Sequence, residues 1–154
     1  MSGQSASQRI VVATGKRKRA IATAVIRPGT GKVRINGVPI EIYPIEMAKI
    51  KMMEPLLIAG SKIRNIIDID VRVRGGGVMG QADAVRSAIA RGLVEYFTCE
   101  GTGELCEQMN KLAKGLIEIF EEYDRTMISG DPRRTEPEKY MRYSARRRWQ
   151  KSYR

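Results

Sequence analysis

The chain contains no histidine in 154 residues, only two cysteines, and 6% aromatic side chains. Without an imidazole there is no Ser–His–Asp or Cys–His catalysis and no histidine–metal bond. Cys99 and Cys106 alone cannot complete a four-ligand zinc site, so no metal centre or cofactor is expected. Six residues separate them within one turn-and-helix stretch. A structural disulfide is therefore not expected, and a reduced cytosolic setting fits best. No apolar run approaches the roughly 18 residues of a membrane span. Polar Met1–Gln8 lacks a secretory apolar region.

Positive charge is abundant. Against 17 Asp+Glu stand 28 Lys+Arg, a net +11, which points to a polyanionic partner rather than to a fold. Residues 1–97 carry +9, residues 98–132 carry −5, and residues 133–154 carry +7. The last block, RRTEPEKYMRYSARRRWQKSYR, has almost no aliphatic side chains and cannot bury enough to offset its ordering entropy. It is expected to stay disordered until it meets a partner. Fully extended, its 22 residues reach at most roughly 70–80 Å, far beyond a body with a radius of gyration of about 15 Å. The length predicts one domain with extensions: a flexible N-terminus 1–8, a globular body 9–128 and an extended basic tail 129–154.

Along the body, Ile10–Ala13 reads as a strand ended by the basic cluster Thr14–Arg19. Ala20–Arg27 reads as a second strand, turned by Pro28–Gly31. Val33–Ile35 and Val38–Ile40 flank Asn36-Gly37, a type I′ hairpin signal, with Pro39 confined to an edge. Ile45–Leu57 has helical spacing that Pro55 should kink or divide. Ile66–Arg74 alternates as a half-buried strand closed by Gly75, Gly76 and Gly77. Two helices follow. One, about Gly80–Phe97, should bury Ala82, Val85, Ile89, Leu93 and Tyr96. The other, about Gly103–Tyr123, should bury Leu105, Met109, Leu112, Leu116, Phe120 and Tyr123. The class is α+β, a two-layer antiparallel or mixed sheet with helices on one face.

Gly75–Gly80 formally matches G-x-G-x-x-G, with Glu100 as a distant acid. A dinucleotide site also needs a parallel strand after the helix, and the helix here leads to another helix. What remains is a glycine turn whose amides can meet a phosphate at a helix N-terminus. Pro28–Lys32 is a turn, because Ile26 stands where a phosphate-binding loop requires Gly. Asp68 and Asp70 share a strand face with Arg72 and Arg74, which suggests cross-strand pairing. Met47, Met52 and Met53 read as core filler. The sharper signals are cationic. Lys16, Arg17, Lys18 and Arg19 repel one another unless an anion neutralises them. Arg146, Arg147 and Arg148, followed by Trp149, Lys151, Tyr153 and Arg154, interleave guanidinium groups with aromatic faces suited to phosphate and stacked bases.

The stretch Gly75–Leu93 resembles the signature of universal small-subunit ribosomal protein nine. Thr14–Lys18, Arg34–Gly37, Tyr123–Thr126, Asp131–Arg134 and the ending Gln150–Arg154 support the likeness, which favours the archaeal type. The resemblance implies a left-handed βαβ crossover and a non-enzymatic place in the head of the cytoplasmic small subunit. It implies ribosomal RNA and neighbouring head proteins as partners, with no membrane and no homo-oligomer. The implied rRNA-binding residues are Lys16, Arg17, Lys18, Arg19, Gly75, Gly76, Gly77, Gln81, Arg133 and Arg134. The implied tail reaches peptidyl-site transfer RNA through Lys151 and Arg154, with Tyr153 and Arg146–Arg148 lining the path. Lys139–Ala145 departs from the family's glycine-rich link before the arginines. The rivals are a dinucleotide-dependent enzyme and a general nucleic-acid packaging protein.

Overall fold

Alternation of buried small or apolar residues with outward-facing ones builds β1 (Val11–Arg17), β2 (Ala20–Pro28) and β5 (Ile67–Arg74), and only in β5 are the outward residues all charged. Two shorter strands, β3 (Val33–Ile35) and β4 (Val38–Pro39), complete the sheet in the order β1-β2-β5-β3-β4. The computed structural model describes residues 9–99, 101, 103–148, 150, 152 and 153. The expectations for the N-terminus 1–8, Glu100, Trp149, Lys151 and Arg154 lie outside the described residues. β1–β2, β2–β5 and β3–β4 are antiparallel, whereas β3 and β5 run parallel. A crossover through helices α1 (Glu46–Ala59) and α2 (Ser61–Arg64) joins β4 to β5. Asn36 and Gly37 both take positive φ, 51° and 83°, as the hairpin signal requires, and Pro39 sits on the edge strand.

One sheet face is covered. Ala20, Ala22, Ala24 and Ile26 of β2 and Ile67, Ile69 and Val71 of β5 are buried, while their neighbours in sequence point outward. The cover is α3 (Val78–Phe97), rich in small residues: Ala82, Ala84, Ala88, Ala90 and Gly92 are all buried. Small residues on both sides let helix and sheet approach closely. At Gly15 an added Cβ would lie 2.1 Å from the Ala84 carbonyl oxygen and 2.6 Å from the Ala88 nitrogen. Behind α3 pack α1, α4 (Glu104–Tyr123) and α5 (Thr126–Ser129), which complete the two-layer α+β arrangement.

Several boundaries differ from expectation. β1 does not end at the basic cluster but runs through Arg17, because Gly15 continues the buried alternation and Arg17 pairs with Ala20. Pro55 does not divide α1. Burial of Ala48, Met52, Pro55 and Leu56 outweighs the lost hydrogen bond, and the helix ends at Gly60, where φ is 88°. α3 begins at Val78, and its last turn buries Phe97 rather than Tyr96. Met52 is fully buried, but Met47 is exposed.

α4 buries Ala113, Leu116 and Phe120, whereas Leu105, Leu112 and Tyr123 are exposed. It packs on helices rather than on the sheet, so only a narrow stripe is covered. Cys99 and Cys106 form a disulfide across 5.3 Å between Cα atoms, contrary to expectation. The α3–α4 loop turns the chain back on itself, and the Asn110 side chain holds that turn. Its Oδ1 accepts from the Cys99 N–H at 2.8 Å and its Nδ2 donates to the Cys99 carbonyl at 3.0 Å.

The helix–sheet seat predicts a contrast between two glycines. Gly15→Ala should cost about 2–3 kcal/mol, because only backbone atoms lie in the way. Gly115→Ala, mid-helix with open space above it, should stabilise by about 0.5–1 kcal/mol. Denaturant midpoints at unchanged m check both, and equal midpoints for the two variants would contradict the packing argument.

Candidate nucleic-acid interface

The turn between β1 and β2 is made by Lys18 and Arg19, with Lys18 in the left-handed region at φ 53°. Across from it, Gly75 and Gly76 leave β5 with φ of 76° and 67°. A Cβ at Gly75 would lie 2.5 Å from the Arg19 carbonyl oxygen, so the glycine turn rests directly on the basic hairpin. The Gln81 Nε2 donates to the Gly75 carbonyl at 3.2 Å, bracing the loop. Gly77 caps α3 without a side-chain hydrogen bond, and the first turn carries no acidic residue. Positive helix-end potential and added cations thus face the same space. That space is a cleft of about 500 Å³ lined by Arg17, Lys18, Arg19, Gly76–Gly80, Asp83 and Thr135.

Not every cation of the cluster faces outward. The Arg17 guanidinium pairs with Asp131 and, at 3.5 Å, with Asp83. Asp83 also receives the Lys51 ammonium at 2.6 Å. Arg133 grips Asp131 through Nε and Nη2 at 2.7–3.1 Å, and this, with its backbone N–H, holds the Asp131 carboxyl well below the usual carboxylate range. Asp131 is therefore the anchor by which the root of the C-terminal segment is tied to β1. Lys16 and Arg19 remain exposed, as does Arg134. Lys16 also borders a second cleft with Arg91, Arg125 and Gly130. The Arg91 guanidinium donates to the carbonyls of Thr14, Ile128 and Ser129 at 2.7–3.0 Å, locking α5 onto α3 and β1.

Beyond Asp131 the described residues include no helix or strand, and almost every side chain among them is exposed. Residues 139–148 nevertheless fold back on themselves, which differs from the formless segment expected. The Arg142 N–H donates to the Lys139 carbonyl, the Tyr143 N–H donates to the Arg147 carbonyl at 3.0 Å, and Arg142 bridges Arg148. Arg147 lies 5.6 Å above the Tyr143 ring, and Arg146 pairs with Glu136 at 2.9 Å. These contacts are local and use the chain's own acids and aromatics, which composition alone did not reveal. Tyr153 is exposed.

A glycine turn, a basic hairpin and, through Thr135, the C-terminal segment border one cleft. The family described as Ribosomal protein S9/S16 matches residues 15–154. The chain is 74% identical to small ribosomal subunit protein uS9 of Aeropyrum pernix, over 97% of this chain and 99% of that one. It is 56% identical to the uS9 of Desulfurococcus amylolyticus and 52% identical to that of Saccharolobus solfataricus, at 94% and 99% of their lengths. The chain belongs to the ribosomal protein S9/S16 family. Members are structural, non-enzymatic parts of the ribosome. The dinucleotide reading also lacks its last element, since α4 rather than a strand follows α3.

Two further outward cations, Arg72 and Arg74, were not among the expected site residues. In the sheet register Ile21 stands between Lys16 and Arg74, and Thr23 stands between Thr14 and Arg72. Arg72 and Arg74 therefore extend the basic surface across the open sheet face beside Lys16. Alternation placed them outward, but only the strand order placed them in the same rows as β1, one strand away across β2. Of the two acids on that strand face, Asp70 makes the expected cross-strand pair, with Arg27 of β2, whereas Asp68 accepts the Thr30 and Lys32 N–H groups at 2.8 and 2.9 Å, fixing the β2–β3 loop.

Those backbone bonds, from Lys32 first and then Thr30, hold the Asp68 carboxyl below its ordinary value. Burial would raise Asp124, but hydrogen bonds from the Thr126 hydroxyl and amide and from Arg86 outweigh it and lower it. Carboxyls depressed in the folded state contribute stability above their unfolded values near 4 and lose it as pH falls through the folded ones. The denaturant midpoint should thus hold from pH 7 to 5 and fall steadily below about pH 4. Asp68→Asn should flatten part of that fall; a variant with the wild-type profile would show that the loop cap carries none of it.

Proposed function

We propose that this chain is a structural component of the small ribosomal subunit that holds ribosomal RNA with its body and sends its C-terminal tail to peptidyl-site transfer RNA. The observation that carries the reading is the convergence of Lys18, Arg19, Gly76–Gly80 and Thr135 on one cleft. Body residues 9–128 supply a rigid basic face, and residues 129–154 supply the reach. Lys16, Lys18, Arg19 and Arg134 neutralise crowded phosphates, while the amides of Gly75–Gly77 and the first turn of α3 accept one more. Gln81 keeps that turn in shape through Gly75. Arg17 and Arg133 act through Asp131, aiming the tail away from the body, and each can exchange this carboxylate for a phosphate.

In the tail, Arg146, Arg147 and Arg148 line the path and Tyr153 stacks on a base or ribose. Lys151 and Arg154 meet the transfer-RNA backbone. The contact senses the presence of the transfer RNA without reading its sequence. The acids that pair with Arg146 and Arg133 shield these cations until RNA displaces them. Such a protein works in the cytoplasm and has no need of a cofactor. Among the described residues no helix is long and apolar enough to cross a membrane.

If about six tail cations meet phosphates, log affinity for ribosomal RNA should fall with log salt at a slope of roughly −4 to −5. A 1–132 chain should lose most of that slope, and equal slopes for the two chains would remove the tail from RNA binding. Deleting Lys151–Arg154 should speed transfer-RNA release from the peptidyl site while subunit assembly stays intact. An unchanged off-rate would refute the tail's role there.

A further inference from the structure

The acidic block has a use that the basic surface does not supply. α4 exposes Leu105, Leu112 and Ile119 at 77%, 53% and 48%. Their spacing of seven puts them on one stripe beside the buried Ala113, Leu116 and Phe120. Across from it, Ile58, Ala59 and Ile63 at the end of α1 and in α2 form a second bank. Between the banks runs an open, largely apolar groove of about 570 Å³. Its α4 bank includes Gly115, where an added Cβ would meet nothing within 4 Å. A glycine inside a helix costs about 1 kcal/mol, and among the described residues no close neighbour requires one at Gly115. Along the outer edge of the stripe stand exposed Glu104, Glu107, Glu118 and Glu122, with Lys111 as the one cation among them.

We propose that the α1–α4 groove docks a basic, aliphatic-rich segment of a neighbouring small-subunit protein, apolar side chains seated over Gly115 and cations against the glutamate rim. The inference rests on the ribosomal reading above. The rim repels RNA phosphates, and the apolar floor offers them few donors. The basic tail of a second copy of this chain does not fit either, since it has almost no aliphatic side chains to fill the groove. An exposed apolar groove with glutamates outnumbering lysines along one edge is the pattern of a protein contact.

Photo-crosslinking in assembled small subunits tests this. Full-length chains carrying benzoylphenylalanine in place of Leu112, Ile119 or, as a control on the far side of α4, Glu121 are recovered in salt-washed subunits. Expected is a cross-link from Leu112 and Ile119 to a Lys/Arg-rich peptide of another ribosomal protein, about tenfold above the Glu121 position. Gly115→Leu, a good helix former that fills the floor, should cut that yield by about tenfold. Cross-links to RNA, to a second copy, or at equal yield from all three positions would overturn the docking proposal alone. Absence of the unsubstituted chain from washed subunits would overturn the ribosomal reading and the docking proposal with it.

Discussion

Close contact between α3 and β1 is the constraint on which the rest of the molecule depends. Gly15 faces Ala84 and Ala88, Gly92 faces Ala13 and Ile26, and at Gly15 there is no room even for a methyl group. This contact fixes the height of α3 above the sheet. From that height follow the reach of Arg17 to Asp83, the seat of the glycine turn on Arg19, and the distance at which Arg91 meets the carbonyls of α5. A close-packed interface has few alternative arrangements, so the basic hairpin and the helix N-terminus keep one relation.

A chain of +11 must also fold before its polyanion arrives. It does so by spending its acids where cations are most crowded. Asp83 and Asp131 neutralise Arg17, Lys51 and Arg133, while Glu54 and Asp124 neutralise Arg86, which is only 7% exposed. Breaking a buried pair from one side would leave an uncompensated charge costing several kcal/mol. The outward-facing Lys16, Lys18 and Arg19 carry no comparable obligation in the described structure. One run of four cations is thus divided between fold and function, with Arg17 on the inner side.

Much of this was legible because it is local. The Asn36-Gly37 turn, the alternation of β5 and the existence of α3 and α4 follow from residue type and period over short windows. The failures have a common source. Pro55 stayed within one helix because distant packing outweighed a local rule. Leu105, Leu112 and Tyr123 carry the apolar period of α4 but lie outside its contact stripe. The Cys99–Cys106 bond needed a loop that reverses the chain, and spacing does not report reversal. Arg72 and Arg74 were visible as outward cations, yet their place beside Lys16 is a matter of strand order.

The sequence by itself determined the family, the α+β class, the division of charge into body, acidic block and tail, and the absence of imidazole chemistry. Composition and short-range periodicity are properties of the chain, and they survive without coordinates. Only the tertiary structure decided which cations are sequestered, which acids anchor the tail, and that the glycine turn and basic hairpin share a cleft. Those facts depend on contacts between residues tens of positions apart. Such contacts are set by how closely two backbones approach, and that distance is written in no single segment.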